Sequence, residues 1–345
     1  MKKLLNTLYV TTQGAWLARE RENVLVQVEK EIRMRLPIHN LDNIICFGHV
    51  SASAPFMGLC AERGVGLAFF TEYGRFLTRV QGPISGNVLL RREQYRRSDK
   101  EDAAATIAAT LVAAKIANSR TVLQRALRDR ADGDGVSKIQ DTIVHLAGLQ
   151  RRVRADPTLK LDSVRGLEGA AAKAYFDVFD RLITHTDKAF HFEGRYRRPP
   201  PDPVNAMLSF SYTLLRHDIQ SAIEGVGLDP QVGFLHRDRP GRPSLALDLM
   251  EEMRAFIADR LVLSLINRRQ VAATGFKISE SGSVHMDDKT RKVMLGAYQE
   301  RKRDKLRHPF LNENVEIGLI PHIQALLFAR HLRGDLDAYP VFVWR

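Results

Sequence analysis

Cysteine is nearly absent: Cys46 and Cys60 are the only two in 345 residues. They form no CxxC pair and no zinc-type spacing, which excludes a disulfide scaffold and a thiolate metal site. Set among apolar residues, they read as buried free thiols of a reducing cytoplasm. Long hydrophobic runs are missing too. The uncharged stretch Ile44–Ala61 is interrupted by Gly48, His49, Ser51, Ser53 and Pro55, and such a segment does not span a membrane. Met1-Lys2-Lys3-Leu4-Leu5 is followed by no apolar leader segment. Neither a phosphate-cradling P-loop, nor a dinucleotide fingerprint, nor a nucleophile elbow occurs, and there is no internal repeat or low-complexity tract.

What is present is ordinary globular composition, 44% apolar and 27% charged, with a net charge of +12. Such an excess of Lys and Arg favours a polyanionic partner. With no membrane segment to support a lipid surface, nucleic acid is the better reading. Residues 1–90 hold 10 Lys and Arg against 7 Asp and Glu, so most of the positive charge lies downstream. The length favours two domains.

The first part is β-rich. Residues 8–11, 15–18, 24–28, 32–36, 44–47, 66–70 and 75–80 read as strands around a short helix over 54–61. Their apolar/polar alternation points to an antiparallel sheet with one face buried. Gly82-Pro83-Ile84-Ser85-Gly86 marks the boundary, after which the period becomes helical. The expected fold class is α+β, with a β domain over 1–83 and an all-α domain over 84–345. Helices are expected over 102–118, 121–130, 137–153, 161–182, 247–267, 288–306 and 315–332. A further helix opens at Asp202, as N-cap, with Pro203 in its first turn, and runs through Glu224. The loop 131–135 resembles a calcium loop only superficially, since it lacks the downstream glutamate. The apolar tail 340–344 packs back onto a core.

Gly233–Arg254 carries the chemistry. His236 lies in a loop with Arg237, Arg239 and Arg242, and a helix bearing Asp248, Glu251 and Glu252 follows. Asp248 is one turn from both glutamates. One imidazole among carboxylates suits Mg²⁺ or Mn²⁺ beside a phosphate, although carboxylates one turn apart equally suit a solvated helix face. Glu168, between Gly166 and Gly169, is the best further donor. Two glycines near a helix start suggest close approach of a backbone or ligand; tight helix packing with Glu168 in solvent is the alternative. Arg195, Arg197 and Arg198, beside three prolines, favour phosphate contact. Asp259 and the scattered His185, His191, His217, His308 and His322 read as solvated, ion-paired or core residues.

Gly166-Leu-Glu168-Gly169, Tyr175-Phe176, Arg195-Tyr-Arg197-Arg198-Pro-Pro-Pro-Asp202-Pro203-Val-Asn205, Gly233-Phe-Leu-His236 and Ser244-Leu-Ala-Leu-Asp248-Leu-Met-Glu251-Glu252 occur in this order. Together they resemble the CRISPR-associated endonuclease/integrase of the spacer-acquisition module, closest to its subtype I-C form, over essentially the whole chain. The resemblance implies an N-terminal β domain that dimerises and a helical domain that holds a divalent metal, Mg²⁺ or Mn²⁺, on Glu168, His236 and Glu251. Asp248 is then a supporting carboxylate, and Asn205 lies near the site. Many members carry aspartate where this chain has Glu251, which leaves the third ligand open between Asp248 and Glu251. The implied reaction is attack of a DNA 3′-hydroxyl on a phosphodiester of the CRISPR repeat, with double-stranded DNA and a small ferredoxin-like protein as partners. A non-catalytic basic DNA scaffold and a small-molecule phosphohydrolase are the competing classes; the charge of +12 exceeds what a small substrate needs.

Overall fold

Short β-branched and aromatic runs separated by Gly and charged turns build the first part of the chain as two four-stranded sheets. In the computed structural model, which describes residues 7–72, 76–82, 88–128, 135–196 and 199–344, the strands are β1 (Thr7–Val10), β2 (Trp16–Glu20), β3 (Asn23–Val28), β4 (Glu31–Pro37), β5 (Asn43–Phe47), β6 (Ser51–Ala52), β7 (Gly66–Phe70) and β8 (Phe76–Val80). Helix α1 (Ala54–Arg63) precedes β7; Ser53 Oγ caps it and Gly64, in the left-handed region, ends it. The sheet orders are β1-β5-β7-β8 and β4-β3-β2-β6.

An antiparallel sheet is found only in part. β2-β3-β4 and β7-β8 are antiparallel, whereas β1, β5 and β7 run parallel and β6 joins β2 in parallel. The reason is visible in β5, Asn-Ile-Ile-Cys-Phe, which is buried at every position. A strand covered on both faces has no alternation and suits a parallel interior. Val10, Ile44, Cys46 and Leu67 from one sheet, Leu17, Val24 and Val26 from the other, and Phe56, Leu59 and Cys60 from α1 share a core. Both cysteines are free, with thiols pushed up to about 12 by burial.

The chain divides into two compact units, Met1–Gly86 and Asn87–Arg345. Most of the boundary expected at Gly82–Gly86 lies outside the described residues. The second unit contains α2 (Val88–Ser98), α3 (Glu101–Arg128), α4 (Val136–Ala155), α5 (Leu161–Asp177), α6 (Pro203–Gly225), α7 (Ser244–Met250), α8 (Arg260–Asn267), α9 (Asp288–Arg303) and α10 (Ile320–Arg333). It is not all helix: β9 (Phe276–Ile278) pairs with β10 (Val284–Met286), and β11 (Lys305–Arg307) with β12 (Asn314–Glu316). Asp202 caps α6 through Asn205 N at 2.7 Å, with Pro203 in its first turn.

Two helices expected over 102–118 and 121–130 are one, α3. The chain stays helical past Asn118, which is buried and donates to the Glu252 and Phe342 carbonyls at 2.6 and 2.9 Å, so it does not compete with its own helix. None of the described helices is long and apolar enough to cross a membrane.

Candidate active site

Gly233 begins the loop that sets His236. A Cβ there would lie 2.7 Å from Asp248 Oδ2 and 2.8 Å from Ser244, so only glycine lets this loop lie against α7. Asp248 is fully buried and organises the loop. Its Oδ2 accepts from the backbone N–H of Phe234 (2.5 Å) and Leu235 (3.0 Å), and its Oδ1 from that of His236 (3.0 Å). The same Oδ1 lies 2.6 Å from His236 Nδ1. An ionised carboxylate only accepts, so Nδ1 carries the proton and Nε2 is left as the lone-pair donor. From α5, Arg165 Nε donates to the Leu235 carbonyl at 2.7 Å and fixes the other side of the loop.

Past Met250 the helix loses its regular ladder. Glu251 N and Met253 N bond three residues back, to Asp248 O and Met250 O, and a π-helical stretch follows over Arg254–Asp259. Widened turns of this kind re-aim side chains and recur at functional sites. Glu251 and Glu252 lie at the start of this irregular stretch and point to different sides. Glu251 faces His236, with Oε1 3.9 Å from its Nε2. Glu252 turns the other way: its carboxylate accepts from Tyr339 OH, from Gln324 Nε2 at 3.0 Å and from Phe342 N at 2.5 Å. Burial raises the Glu252 carboxyl to about 7 against those hydrogen bonds. Glu252 anchors the C-terminal tail, in which Phe342 stacks on Phe256 at 4.7 Å.

Two cations hold Glu251. Burial alone would raise its carboxyl, but the Arg254 guanidinium, 2.9 Å from Oε1, and the Lys115 ammonium, 2.7 Å from Oε2, keep it down at about 2. Lys115, on α3, also contacts Glu168 Oε1 on α5. Glu168, His236 and Glu251 are thus brought to one place, with Lys115 Nζ between the two glutamates. Glu251 Oε2 is buried and receives no hydrogen bond among the described residues, so its approach to Lys115 is an ion pair without donor alignment. Among those residues no group of three or more His, Cys, Asp or Glu side chains is arranged to hold a metal as it stands. The donors, two carboxylates and an oriented imidazole, nevertheless suit a hard divalent ion.

A cleft of about 470 Å³ opens beside these groups, lined by Asp162, Arg165, Gly166, Glu168, Leu235, His236, Arg237, Arg239 and Arg242. Arg237 reaches Asp162 at 3.2 Å but remains exposed. Arg195 has a different place from the one expected. Its guanidinium donates to Asn205 Oδ1, the Tyr196 carbonyl and Ser209 Oγ, and stands over the Tyr212 ring at 5.2 Å; it shapes the loop before α6 rather than offering a free phosphate grip. Arg197 and Arg198 lie outside the described residues. Asn205 joins Asp202, Gly194, Arg195 and Tyr196. Asp259 is buried rather than solvated; it accepts from Tyr212 OH at 2.6 Å, and burial raises its carboxyl to about 6.

Sequence reasoning missed Lys115 and Arg254. At Gly166 and Gly169 an added Cβ would meet nothing within 4 Å, so no neighbouring backbone approaches them, and Gly166 lines the cleft instead. Neither glycine is required by packing. Gly169→Ala is expected to stabilise the protein by about 0.5–1 kcal/mol through helix propensity, read as a higher urea midpoint with unchanged DNA binding.

Glu168 and a carboxylate-oriented His236 on an arginine-rimmed cleft, with Glu251 buried behind them, suit an enzyme of phosphodiester chemistry on nucleic acid. The family described as CRISPR associated protein Cas1 matches residues 8–300, and the chain belongs to it. It is 54% identical over 345 residues to CRISPR-associated endonuclease Cas1 1 of Chlorobaculum tepidum, covering 100% of both chains. The Cas1 protein of Thermotoga maritima has a TM-score of 0.80 at 23% identity, covering 95% of this chain and 97% of that one. A chain of a solved Cas6-RT-Cas1–Cas2 complex has a TM-score of 0.82 at 22% identity, covering 100% of this chain and 36% of that one. At these identities the two structures share the fold.

Proposed function

We propose that this chain is the DNA endonuclease/integrase of a CRISPR spacer-acquisition module, of subtype I-C type, acting in the cytoplasm. The observation that carries the reading is the convergence of Glu168, Glu251 and the Asp248-oriented His236 beside a cleft bordered by Arg165, Arg237, Arg239 and Arg242. The net charge of +12 suits duplex DNA. Residues 1–83 serve dimerisation and 84–345 hold metal and DNA; the partners are a second copy, a small ferredoxin-like protein of the Cas2 kind, and double-stranded DNA.

Glu168, His236 and Glu251 would hold Mg²⁺ or Mn²⁺. Asp248 is the supporting carboxylate, because its oxygens already serve three backbone N–H groups and the imidazole. When bound, the ion supplies a lowered pKa for the attacking 3′-hydroxyl and neutralises charge on the phosphate. The protein's own groups do the positioning. Asp248 keeps His236 in one tautomer, Arg254 keeps Glu251 ionised, and the exposed arginines take the DNA backbone without reading sequence.

The test combines purified protein and its small partner with a duplex bearing free 3′-hydroxyls, a repeat-containing plasmid and Mn²⁺. Strand transfer is expected with wild type, and loss of it with His236→Ala or in chelator. Undiminished transfer in the variant or in chelator leaves only the DNA-scaffold reading.

A further inference from the structure

Lys115 is absent from the ligand set just proposed, yet it lies at the centre of the site. It sits within the apolar run Ala-Ala-Lys-Ile-Ala of α3 and is only 7% exposed. Its Nζ contacts Glu168 Oε1 and lies 2.7 Å from Glu251 Oε2. The two carboxylates come from different elements, α5 and the irregular turn after α7, and they meet on this one ammonium. Asn118, one turn further along α3, binds the Glu252 carbonyl at 2.6 Å. The spacing between α3 and the Glu251 turn is therefore held independently of the ion pair. Arg254 occupies the other oxygen of Glu251 at 2.9 Å.

We infer that Lys115 is a resident cation that holds Glu168 and Glu251 together and competes with a divalent ion for them. This rests on the metal-site reading above and deepens it. A buried carboxylate, Glu251, and a partly exposed one, Glu168, repel each other when brought together without a counter-charge, and a cation between them relieves that repulsion. An ammonium on a flexible four-carbon stem can fill that role and withdraw, whereas a guanidinium fork is larger and held by more hydrogen bonds. The oxygens that Lys115 engages are the ones a metal ion on Glu168 and Glu251 would need. Loading therefore exchanges one cation for another, and weaker metal binding is the cost of an ordered site without metal.

Calorimetric titration of Mn²⁺ into wild type, Lys115→Met, Lys115→Gln and His236→Ala tests this. Removing the ammonium is expected to tighten Mn²⁺ binding by about tenfold, while His236→Ala weakens it. Circular dichroism confirms that each variant is folded. A folded Lys115→Met that binds no tighter than wild type, while His236→Ala still weakens binding, overturns the inference and leaves the metal site standing. No effect of His236→Ala, or no binding by wild type, overturns the metal site itself. If neither Lys115 variant folds, wild type is acetylated with and without saturating Mn²⁺. Metal is expected to raise Lys115 modification relative to Lys302, which is buried against Asp218 at 2.9 Å; an unchanged ratio overturns the inference.

Discussion

Asp248→Asn is expected to lower both stability and activity, because one fully buried carboxylate serves four donors. Its Oδ1 takes the His236 N–H and the His236 ring, and its Oδ2 takes the Phe234 and Leu235 N–H groups. An asparagine keeps one acceptor oxygen and turns an NH₂ toward the other pair. Two buried donors lose their partners, at about 1–3 kcal/mol each. The melting temperature should fall by about 10 °C on the per-residue scaling of domains this size. Below that melting point, strand transfer should fall by about 10–100-fold, the usual effect of removing the partner that orients a metal-binding histidine. His236→Ala differs: the ring is 19% exposed, so it should abolish transfer with little change in melting temperature. Calorimetry and the strand-transfer assay on both variants separate the two roles. An Asp248→Asn protein that melts and reacts like wild type removes the carboxylate from its organising position.

Much of this architecture is legible in the chain because local signals and tertiary packing agree. Asp202-Pro203 starts α6 where capping chemistry places it. The β-branched runs of the first unit are strands nearly to the residue. His236, Asp248 and Glu251 stand out through the family resemblance, since their spacing alone equally suits a solvated helix face. The remainder depends on distant partners. Strand β5 is parallel because elements above and below cover it, and a short apolar run cannot announce that. Lys115 carries no local signal within its alanine-rich helix; only folding sets Glu168 and Glu251 against it. Adjacent Glu251 and Glu252 point to different sides, as neighbours on any helix do; which centre each one meets is decided by the distant residues packed there. The pattern of Gly166 and Gly169 suggests close approach of a backbone or a ligand; no neighbouring backbone comes near them, and Gly166 opens onto the cleft.

The second large effect concerns the other glutamate. Glu252→Ala removes the acceptor of Tyr339 OH, Gln324 Nε2 and Phe342 N at once. Gln324 keeps Tyr339 OH and the Pro340 carbonyl as partners, at 2.8 and 3.3 Å, but Phe342 N is left buried and unmet. With the cavity left by the shortened side chain, the cost should be about 3–5 kcal/mol. Glu252→Gln keeps an acceptor oxygen and the volume, so its cost should stay below about 1.5 kcal/mol. The consequence reaches the catalytic side through the backbone. Asn118 ties the Glu252 carbonyl to the Phe342 carbonyl and receives Trp344 N at 2.7 Å, while Arg125 and Arg260 stand over the Trp344 ring at 3.8 and 4.6 Å. Releasing the tail therefore loosens the turn that aims Glu251. Glu252→Ala should lower the urea midpoint, expose the tail to carboxypeptidase and weaken Mn²⁺ binding, whereas Glu252→Gln should do none of these strongly. Equal urea midpoints for the alanine variant and wild type would mean that the tail packs on Phe256 without the carboxylate, and that the turn carrying Glu251 is set by α3 alone.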